Sequence, residues 1–573
     1  MPGPVGRKRK ATRGRSVPEP VRLTFLGGIG EIGRNCAVLE IDEKLLVIDC
    51  GLLFPDPDMP GVDLVLPDFQ FLAERAPQVV GCVVTHGHED HTGALAYLIE
   101  AMDRPEPLTI WGSALALGIA RSRLDETNTA ARAVLVPVGD GERWQAGPFD
   151  IEAIPVTHSV PEGHALVFRT PQGVILHTGD FKLDPTPVDG RATDLARIGA
   201  VADDEGIRLL LSDSTNADEP GFTESERVVG ATLRRLLAAA TGERVIVTCF
   251  ASHLHRIQQV ADAAIGAGRV VATLGRSMGR NVALARAQGV LHIPDDRIVA
   301  IEEVDDLDPG KVCVLSTGSQ GEPMSALVMM ASGQSKWLKI RDGDVVVMSS
   351  HAIPGNEWAV SKLIDDLYRR GADVVYAERD AVHVSGHARQ GELRMMLTLT
   401  RPEWFVPVHG EHRHLVSHAR LAKEAGVAQD HVLVCEDGNV LTLGDEGVAH
   451  TGDVAAGHVY VDGIAGDVGL GVLRDRRMLA EDGVIVVIVG VDDLAGEVVI
   501  GPEIVTRGWV YVDDAGELID AARDAVRDAL EAALAGGTRD HDGLRLAVRR
   551  STGKLVKERT RRRPMIVPVI LPV

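Results

Sequence analysis

Short apolar runs alternate with amphipathic segments through the first part of the chain. Apolar residues at helical spacing predict helices at 69–76 and 91–102. The aliphatic and β-branched runs are bounded by Gly, Asn or Asp and predict strands at 21–26, 36–41, 45–49, 79–85, 151–156, 165–169 and 174–178. This alternation indicates a layered α/β architecture.

A second α/β pattern begins near Glu224. A helix is predicted through Leu237 and another after Ser252. Apolar runs between and beyond these helices predict strands at 244–250, 270–274, 312–316, 344–349 and 373–376. Strands that alternate with helices indicate a parallel sheet. A strand like those of the first block returns at 404–409, so we expect the second block to be an insertion in the first.

A third pattern follows Gly466. Strands are predicted at 484–489, 497–500 and 509–512, before an amphipathic helix that Gly536 and Gly537 end. Apolar residues recur at helical spacing in that helix: Leu518, Ala522, Ala525, Val526, Ala529 and Leu530. The apolar run 484–491 is too short to span a bilayer and predicts a buried strand. A basic segment and the apolar tail MIVPVILPV end the sequence.

Length and charge narrow the class of protein. A chain of 573 residues needs several domains. The net charge of −22 argues against a protein coated in nucleic acid, but it allows a nuclease with a local basic groove. The six cysteines form no CxxC pair, and the N-terminus has no apolar stretch of a secretory signal. We therefore expect buried free thiols, no membrane segment and a cytoplasmic location.

Two basic segments leave two interpretations open. Residues 1–20 are rich in Pro, Gly, Arg and Lys and predict a disordered arm, which is either a solvated tail or an aid to RNA attraction. The C-terminal basic residues form either a solvated helix face or a surface for assembly or RNA. They are Arg545, Arg549, Arg550, Lys554, Lys557, Arg559 and Arg561 to Arg563.

The segment CVVTHGHEDHTGAL carries the clearest chemistry. An apolar strand is followed within six residues by His86, His88, Asp90 and His91. Imidazole and carboxylate groups are suitable ligands for Zn²⁺. A loop between strand and helix lets His86 and His88 bind one metal while Asp90 and His91 turn toward a second. A polar loop with fortuitous histidines is the weaker interpretation of a pattern this dense.

Three more polar residues follow apolar runs further along the chain. His158, Asp180 and His409 each lie at the carboxyl end of a predicted strand, where sheet proteins place ligands. A workable arrangement puts His158 with the first metal, His409 with the second, and the Asp180 carboxylate between them. Two metals that share a hydroxide can clamp a phosphoryl oxygen.

Other polar residues near these motifs have less specific interpretations. His177 is predicted to be buried or to contact a ligand from outside. His412 and His414 are predicted to lie on the surface. Asp49 ends the run LLVIDCG and is predicted to orient a metal ligand rather than to bind metal itself.

Several segments together resemble one family of enzymes. HGHEDH, the later His158 and HTGD are similar to metallo-β-lactamase motifs, and the inserted α/β block with a returning His is similar to the β-CASP subgroup. FLGGIGEIGRN, HTGDFK, SDSTNA, FASHLHR, STGSQGEP, HAIPGNE, VSGHA and PVHGE complete a resemblance to the ribonuclease J family. The resemblance spans residues from about 25 to 415, with no departure at a metal-ligand position.

The resemblance implies an architecture. The fold would be α/β, a metallo-β-lactamase αββα sandwich with an inserted α/β β-CASP domain and a small α+β C-terminal domain. The boundaries would be a basic arm at 1–20, the first part of the metallo-β-lactamase domain at 21–223, the β-CASP domain at 224–385, the second part at 386–465, and the linker and C-terminal domain at 466–573.

The resemblance also implies an activity and its setting. The enzyme would hold two Zn²⁺ ions and combine 5′-to-3′ exonuclease with endonuclease activity on single-stranded RNA, preferring 5′-monophosphate ends. It would act in RNA maturation and mRNA decay in the cytoplasm, as a homodimer or homotetramer, with RNA-degradation partners. A structural Ca²⁺ near Asp49, Gly51 and Asp462 is a further implication, because carboxylate and carbonyl oxygens suit that ion.

Substrate residues also come from the resemblance. Asp213 in SDSTNA and His387 in VSGHA match catalytic motifs of the subgroup. The nucleotide-contacting segments map onto Ser252, His253, Leu254, His383, Val384, Ser385, Gly386 and His387. Small residues in VSGHA allow close backbone approach, and exposed N–H groups can cradle a phosphate. A small-residue turn and a purely structural Asp213 are the alternatives.

Two competing functions remain at this point. The first is another hydrolase on the same core, such as a lactonase, a thioesterase or a DNA-directed nuclease. The large insertion and the VSGHA segment argue against small substrates, and RNA over DNA rests on the resemblance. The second is a non-catalytic RNA-binding scaffold, which would be expected to have lost metal ligands.

Overall fold

A computed structural model describes residues 19–56, 58–353, 356–463, 466–492, 494–510 and 516–573. Residues 1–18 of the predicted basic arm lie outside this range. The chain divides into two compact units, residues 1–53 with 66–458 and residues 54–65 with 459–573.

The part of the chain up to Asp213 alternates strands and helices as the apolar pattern predicts. Its strands are β1 (Val21–Gly27), β2 (Ile29–Gly30), β3 (Cys36–Ile41), β4 (Lys44–Ile48), β5 (Leu64–Pro67), β6 (Val79–Val83), β7 (Leu108–Gly112), β8 (Ala133–Pro137), β9 (Arg143–Ala146), β10 (Phe149–Pro155), β11 (His164–Thr170), β12 (Gly173–His177) and β13 (Ile207–Asp213). Its helices are α1 (Gln70–Ala73), α2 (Glu89–Thr92), α3 (Leu95–Met102), α4 (Ala114–Glu126) and α5 (Leu195–Asp204).

The next elements form the inserted block and the segment after it, which completes the two sheets of the first block. The inserted block contains α6 (Arg227–Ala239), β14 (Val245–Thr248), α7 (Leu254–Gly266), β15 (Val270–Leu274), α8 (Arg276–Ala287), β16 (Ile298–Val299), β17 (Val312–Ser316), α9 (Ala326–Ser332), β18 (Val345–Met348), α10 (Glu357–Arg369) and β19 (Asp373–Val375). The segment after the insertion contains α11 (Gln390–Thr400), β20 (Trp404–Val408), β21 (Gly410–Glu411), α12 (His412–Glu424), β22 (Asn439–Gly444) and β23 (Gly447–Asp453).

Two sheets pack face to face in the first unit. Their strand orders are β23-β22-β1-β3-β4-β6-β7-β8 and β20-β13-β12-β11-β10-β9. One buried core joins Leu39 of the first sheet to Phe168 and Val406 of the second. Ile198 of α5 and Leu397 of α11 pack against the far side of the second sheet. This is the layered sandwich that the alternating pattern predicts.

The second block is an insertion between two neighbouring strands. β13 and β20 pair in parallel, with Leu209 opposite Trp404, although the whole block separates them in sequence. The block has its own six-stranded sheet, in the order β16-β15-β17-β14-β18-β19, and all its strand pairs are parallel. Hydrophobic clusters cover both faces, which explains why its strands are continuous apolar runs.

The last elements belong mainly to the second unit. They are β24 (His458–Asp462), β25 (Gly466–Asp467), α13 (Leu470–Asp482), β26 (Val484–Asp492), β27 (Glu497–Arg507), α14 (Gly516–Ala535), α15 (His541–Thr560) and β28 (Met565–Pro572). The sheet order β27-β26-β28 places the C-terminal tail in parallel beside β26. Ile485 and Val487 of β26 pack with Val526 of α14 and Val548 of α15.

Two predictions for this region need correction. The strand predicted at 497–500 continues to Arg507, because it pairs with β26 along that length. No strand forms at Trp509 and Val510, and residues 511 and 512 lie outside the described range. The basic segment is a complete helix, α15, whose apolar side is buried against α14.

Two further features bear on the predicted class. All six cysteines are buried free thiols. Among the described residues, no helix is long and apolar enough to cross a membrane.

Candidate metal centre

The carboxyl ends of four strands bring the predicted ligands together. His86 follows β6 of the first sheet, and His158, Asp180 and His409 follow β10, β12 and β20 of the second. Gly179 is required for the turn into Asp180. Its φ is +57°, and an added Cβ would lie 2.7 Å from the backbone oxygen of His164.

His86, His88, His158 and Asp180 form the first group of candidate ligands. The Nδ1 of His88 lies 3.1 Å from Nε2 of His86 and 3.2 Å from Nε2 of His158. Ligands held about 2.0–2.1 Å from a tetrahedral zinc are about 3.3 Å apart, so the spacing of these nitrogens suits that ion.

Asp90, His91, His409 and Asp180 form the second group. Nε2 of His409 lies 3.2 Å from Oδ2 of Asp90, and Nε2 of His91 lies 3.6 Å from that oxygen. Carboxylate and imidazole donors at this spacing also suit zinc.

Asp180 belongs to both groups. Its Oδ2 lies 3.6 Å from His86, 3.3 Å from His91, 3.8 Å from His158 and 3.5 Å from His409, measured to Nε2 of each ring. This oxygen is buried and has no hydrogen-bond partner in the described part of the chain. An orphaned buried carboxylate oxygen is costly, and a cation on either side of it would supply the missing partner.

The electrostatics agree with an ionised bridging group. Burial raises the pKa of Asp180, but His409, His91 and His86 lower it further, to well below the usual range. Burial lowers the pKa of His88 to about 4 despite nearby carboxylates, so this ring is neutral at physiological pH. A deprotonated carboxylate and a neutral imidazole are the forms that bind metal.

Asp49 orients two of the candidate ligands. Nδ1 of His91 donates to its Oδ2 at 2.8 Å. The hydroxyl of Thr85 donates to the same oxygen at 2.9 Å and is 3.0 Å from Nδ1 of His86, from which it can accept. These bonds place the proton of a neutral imidazole on Nδ1 and leave Nε2 of both rings as the nitrogen available to a metal. Asp49 also adopts a left-handed backbone, with φ +57°.

Asp213 has the corresponding position on the other side of the centre. Thr215 donates to its Oδ1 at 2.8 Å and can accept from Nδ1 of His409, also at 2.8 Å. Nδ1 of His387 donates to Oδ2 of Asp213 at 2.8 Å. Burial lowers the pKa of His387, but Asp213 and Asp180 more than offset this, so the pKa is raised.

The VSGHA segment reaches the first group of ligands directly. Nδ1 of His158 donates to the backbone oxygen of Gly386 at 2.8 Å. A Cβ on Gly386 would lie 2.8 Å from the His158 ring, so only glycine permits this approach. Ser385 accepts from Nδ2 of Asn216 at 2.8 Å and from the backbone N–H of His387 at 3.1 Å.

The other predicted nucleotide residues divide into two kinds. Leu254 and Val384 are buried in the core of the inserted block. His253 is buried, accepts from the backbone N–H of Arg256 and caps α7. Ser252 is half-buried, and the half-buried His383 has a buried Nδ1 without a partner among the described residues.

The residues predicted to bind calcium have other partners within the protein. Both carboxylate oxygens of Asp49 accept hydrogen bonds from Thr85. Asp462 forms an ion pair with Arg476 at 2.8 Å. Gly51 packs so closely that an added Cβ would overlap the backbone oxygen of Asp90, which explains the glycine without an ion.

The remaining histidine predictions have mixed outcomes. His177 is half-buried and accepts from the backbone N–H of Gly179 at 3.0 Å. His412 is exposed as predicted. The prediction for His414 was wrong: it is buried, because it lies on the inner side of α12 and accepts from the N–H of Glu411.

Sequence reasoning missed Thr85 and Thr215, which connect ligands to the two aspartates. A weak signal was present, since Thr85 directly precedes HGHEDH and Thr215 lies two residues after Asp213. It also missed Arg191. That side chain donates to the backbone oxygens of Val156 and Gly163, at the two ends of the loop that carries His158.

The sandwich, the parallel insertion and the His/Asp centre together define a metal-dependent hydrolase of the metallo-β-lactamase class. Family models agree in four segments. "Beta-lactamase superfamily domain" matches residues 45–241, and "Ribonuclease J, beta-CASP domain" matches 242–367. "Zn-dependent metallo-hydrolase RNA specificity domain" matches 373–434, and "Ribonuclease J C-terminal domain" matches 471–573. These matches confirm the predicted fold class.

Curated relatives specify the family. The chain is 42% identical to ribonuclease J of Mycobacterium tuberculosis over 96% of this chain and 97% of the relative. It is 37% identical to ribonuclease J2 of Bacillus subtilis over 97% and 99%. The chain therefore belongs to the ribonuclease J family and is a metal-dependent ribonuclease, as its motifs predict. A solved Enterococcus faecalis protein of unknown function, 15% identical with a TM-score of 0.52, covers 74% of this chain and shares the fold.

Proposed function

We propose that this enzyme hydrolyses phosphodiester bonds of single-stranded RNA with two Zn²⁺ ions, both from the 5′ end and internally, and leaves 5′-phosphomonoesters. The observation that carries the proposal is Oδ2 of Asp180, which is buried, unpartnered and close to four imidazoles. His86, His88 and His158 would hold one ion, Asp90, His91 and His409 the other, and Asp180 would bridge them. Bound there, the ions would lower the pKa of a water and polarise a phosphoryl oxygen.

His387 is the group proposed to protonate the leaving oxygen. Its Nδ1 is held by Asp213 at 2.8 Å, so Nε2 is the nitrogen left to meet the substrate. The ring lies 4.9 Å from the ring of His158, beside the first group of ligands. A positioned imidazole of this kind contributes about 10²–10⁴-fold to a hydrolytic rate. Asp213 and His387 would thus act as one catalytic pair.

The VSGHA segment is proposed to bind the 5′-monophosphate. Ser385 already accepts two hydrogen bonds, so its own hydroxyl proton is available to a phosphate oxygen. The buried, unpartnered Nδ1 of His383 supports a ligand on the same segment. Lys182, itself buried, donates to the backbone oxygen of Ser385 at 3.2 Å and holds the segment in place. The half-buried Ser252 is included in this contact surface.

The setting of the activity completes the proposal. RNA maturation and mRNA decay in the cytoplasm, a homodimer or homotetramer, and RNA-degradation partners all follow from the family. The six free cysteines support a reducing compartment. The Ca²⁺ ion near Asp49, Gly51 and Asp462 and the domain boundaries at 223/224, 385/386 and 465/466 stay predictions.

Matched RNAs that differ only at the 5′ end test the proposal. The wild type should digest a 5′-monophosphate RNA stepwise, and faster than its 5′-hydroxyl or 5′-triphosphate counterpart. His86→Ala should remove both stepwise and internal cleavage and reduce the zinc content. The variant should stay folded, as shown by a cooperative thermal unfolding transition. Full activity and full zinc in His86→Ala would contradict the metal assignment, and equal rates on all three ends would contradict the end preference alone.

A further inference from the structure

The outer side of α15 concentrates positive charge in a chain whose net charge is −22. Residues 541–563 contain nine Arg or Lys and two Asp or Glu. The helix buries Leu544, Val548 and Val556 against the core of the second unit. Its other side is therefore free to carry charge.

Three basic residues share one side of this helix, and a fourth, Arg561, directly follows its last residue, Thr560. Arg550, Lys554, Lys557 and Arg561 recur at intervals of four, three and four residues and are all exposed. At 1.5 Å per residue, they form a row about 16 Å long. We call this row the basic face of α15. It lies opposite the buried positions, because residues at these intervals repeat on a single helix face.

The charges of this row are not neutralised within the chain. In the described residues none of the four side chains takes part in an ion pair, whereas the flanking Arg545 pairs with Asp542 at 2.9 Å. Four unpaired cations held side by side repel one another. A polyanion that bound them would relieve that repulsion and would release its own counterions.

We propose that the basic face of α15 is a second RNA-binding surface, which binds the phosphate backbone of a long RNA and contains none of the candidate metal ligands. The inference rests on the proposed function, because it takes RNA as the polyanion. A linear row of cations about 5–6 Å apart suits a chain of phosphates better than it suits a patch of protein carboxylates. Helix α15 contains no Phe, Tyr or Trp for stacking with bases, so the binding is independent of sequence.

The test replaces all four basic residues with Gln in the full chain. The control variant, Arg121→Gln, Arg235→Gln, Arg369→Gln and Arg394→Gln, removes the same charge from exposed positions elsewhere. Affinity for a long single-stranded RNA is measured by fluorescence anisotropy against salt concentration, with His86→Ala added to every chain to stop hydrolysis. Cleavage of long RNA and of an RNA of a few nucleotides is measured without that substitution.

The basic-face variant should lose about three units of the slope of log affinity against log salt, since each phosphate contact on a single strand contributes about 0.7. Its KM should rise about ten-fold on long RNA at low salt and stay unchanged on short RNA. Equal salt slopes in the two variants would overturn the proposal. A loss of oligomer mass confined to the basic-face variant would also overturn it, because the face would then be a contact between subunits. A wild type that binds RNA with the expected slope and cuts nothing would instead contradict the proposed function alone.

Discussion

One aspartate outside the metal positions, Asp49, contacts more than one of the candidate ligands. Asp49 contacts His91 directly and His86 through Thr85, so one carboxylate sets the tautomer of a ligand in each group. Its φ of +57° explains why an acidic or amide residue is found there, since Asp and Asn tolerate the left-handed region better than other side chains. The residue was predicted to orient a ligand, and this geometry is what that role requires.

Asp49→Asn should weaken zinc binding at both positions while the fold is retained. An asparagine can adopt the same backbone, but its NH₂ group cannot accept from Nδ1 of His91. We expect zinc affinity to fall about 10–100-fold, which is typical when such an outer partner is removed. Zinc per chain after dialysis against a chelator series measures this, with Asp213→Asn as the comparison, because Asp213 contacts only His409 among the ligands. Identical zinc retention in Asp49→Asn and the wild type would refute the role.

Ser385→Ala tests the proposed phosphate pocket at a single hydroxyl. Hydrogen bonds to a charged group are each worth about 1.5–3 kcal/mol, so the preference for 5′-monophosphate over 5′-hydroxyl RNA should shrink roughly ten- to hundred-fold. Internal cleavage should change far less, because the metal ligands are untouched. Ser332→Ala, an exposed serine on α9, is the matched control. If Ser385→Ala and the control show the same end preference, the pocket lies elsewhere.

At the scale of elements, one side chain contacts both ends of the loop between β10 and β11. Arg191 donates to the oxygens of Val156 at 2.9 Å and Gly163 at 2.8 Å, while its Nε donates to Asp140 at 2.8 Å. Asp140 also binds His164 at the start of β11. The backbone N–H of Val156 also donates to the oxygen of Gly163 at 3.0 Å, so Arg191 reinforces the closure of the loop that carries His158 and is a positioning residue.

Arg191→Ala should release this loop and loosen the first metal position. We expect zinc affinity to fall about ten-fold, at the lower end of the range for outer partners, since Arg191 acts through the backbone. The release of the two zinc ions is measured by chelator titration. The ion at the first metal position should be released at a lower chelator concentration than in the wild type, and the ion at the second position at an unchanged concentration. Arg197→Ala removes an arginine that, in the described part of the chain, binds Glu152 of β10 but does not contact the loop, and it serves as the control. Equal shifts in both variants would show a general loss of stability instead.

The strands and the metal ligands could be predicted from the sequence, whereas several contacts between elements could not. The ligands were predictable because each follows an apolar run, and strands 270–274 and 312–316 were predicted at their observed bounds. The Thr85 and Thr215 bonds were harder to predict, because they depend on which side chains meet at the ends of strands that are neighbours in a sheet but not consecutive in sequence. The tail MIVPVILPV is β28 only because β26 lies beside it, and periodicity cannot identify a partner so far along the chain. His414 was misplaced for a similar reason, since burial depends on where α12 packs.

At the scale of the whole molecule, metal binding and the second compact unit are separate. All seven candidate ligands and both orienting aspartates belong to the first unit, residues 1–53 with 66–458. The second unit has its own core of β26, β28, α14 and α15 and takes in residues 54–65. A two-unit chain of this kind can lose function in one unit while the other keeps its structure.

Removal of residues 459–573 should therefore leave zinc content unchanged while it weakens RNA binding or assembly. The metal ligands stay in place because their sheets and outer partners lie in the first unit, whereas the basic face of α15 is lost. Zinc per chain, mass by light scattering and salt-dependent RNA affinity are measured on the truncated and full chains. Residues 54–65 lose their packing partners in the truncated chain, so a second truncation that also replaces them with a short Gly/Ser linker controls for exposed apolar surface. Zinc loss in both truncations would contradict the separation, because metal binding would then require the second unit.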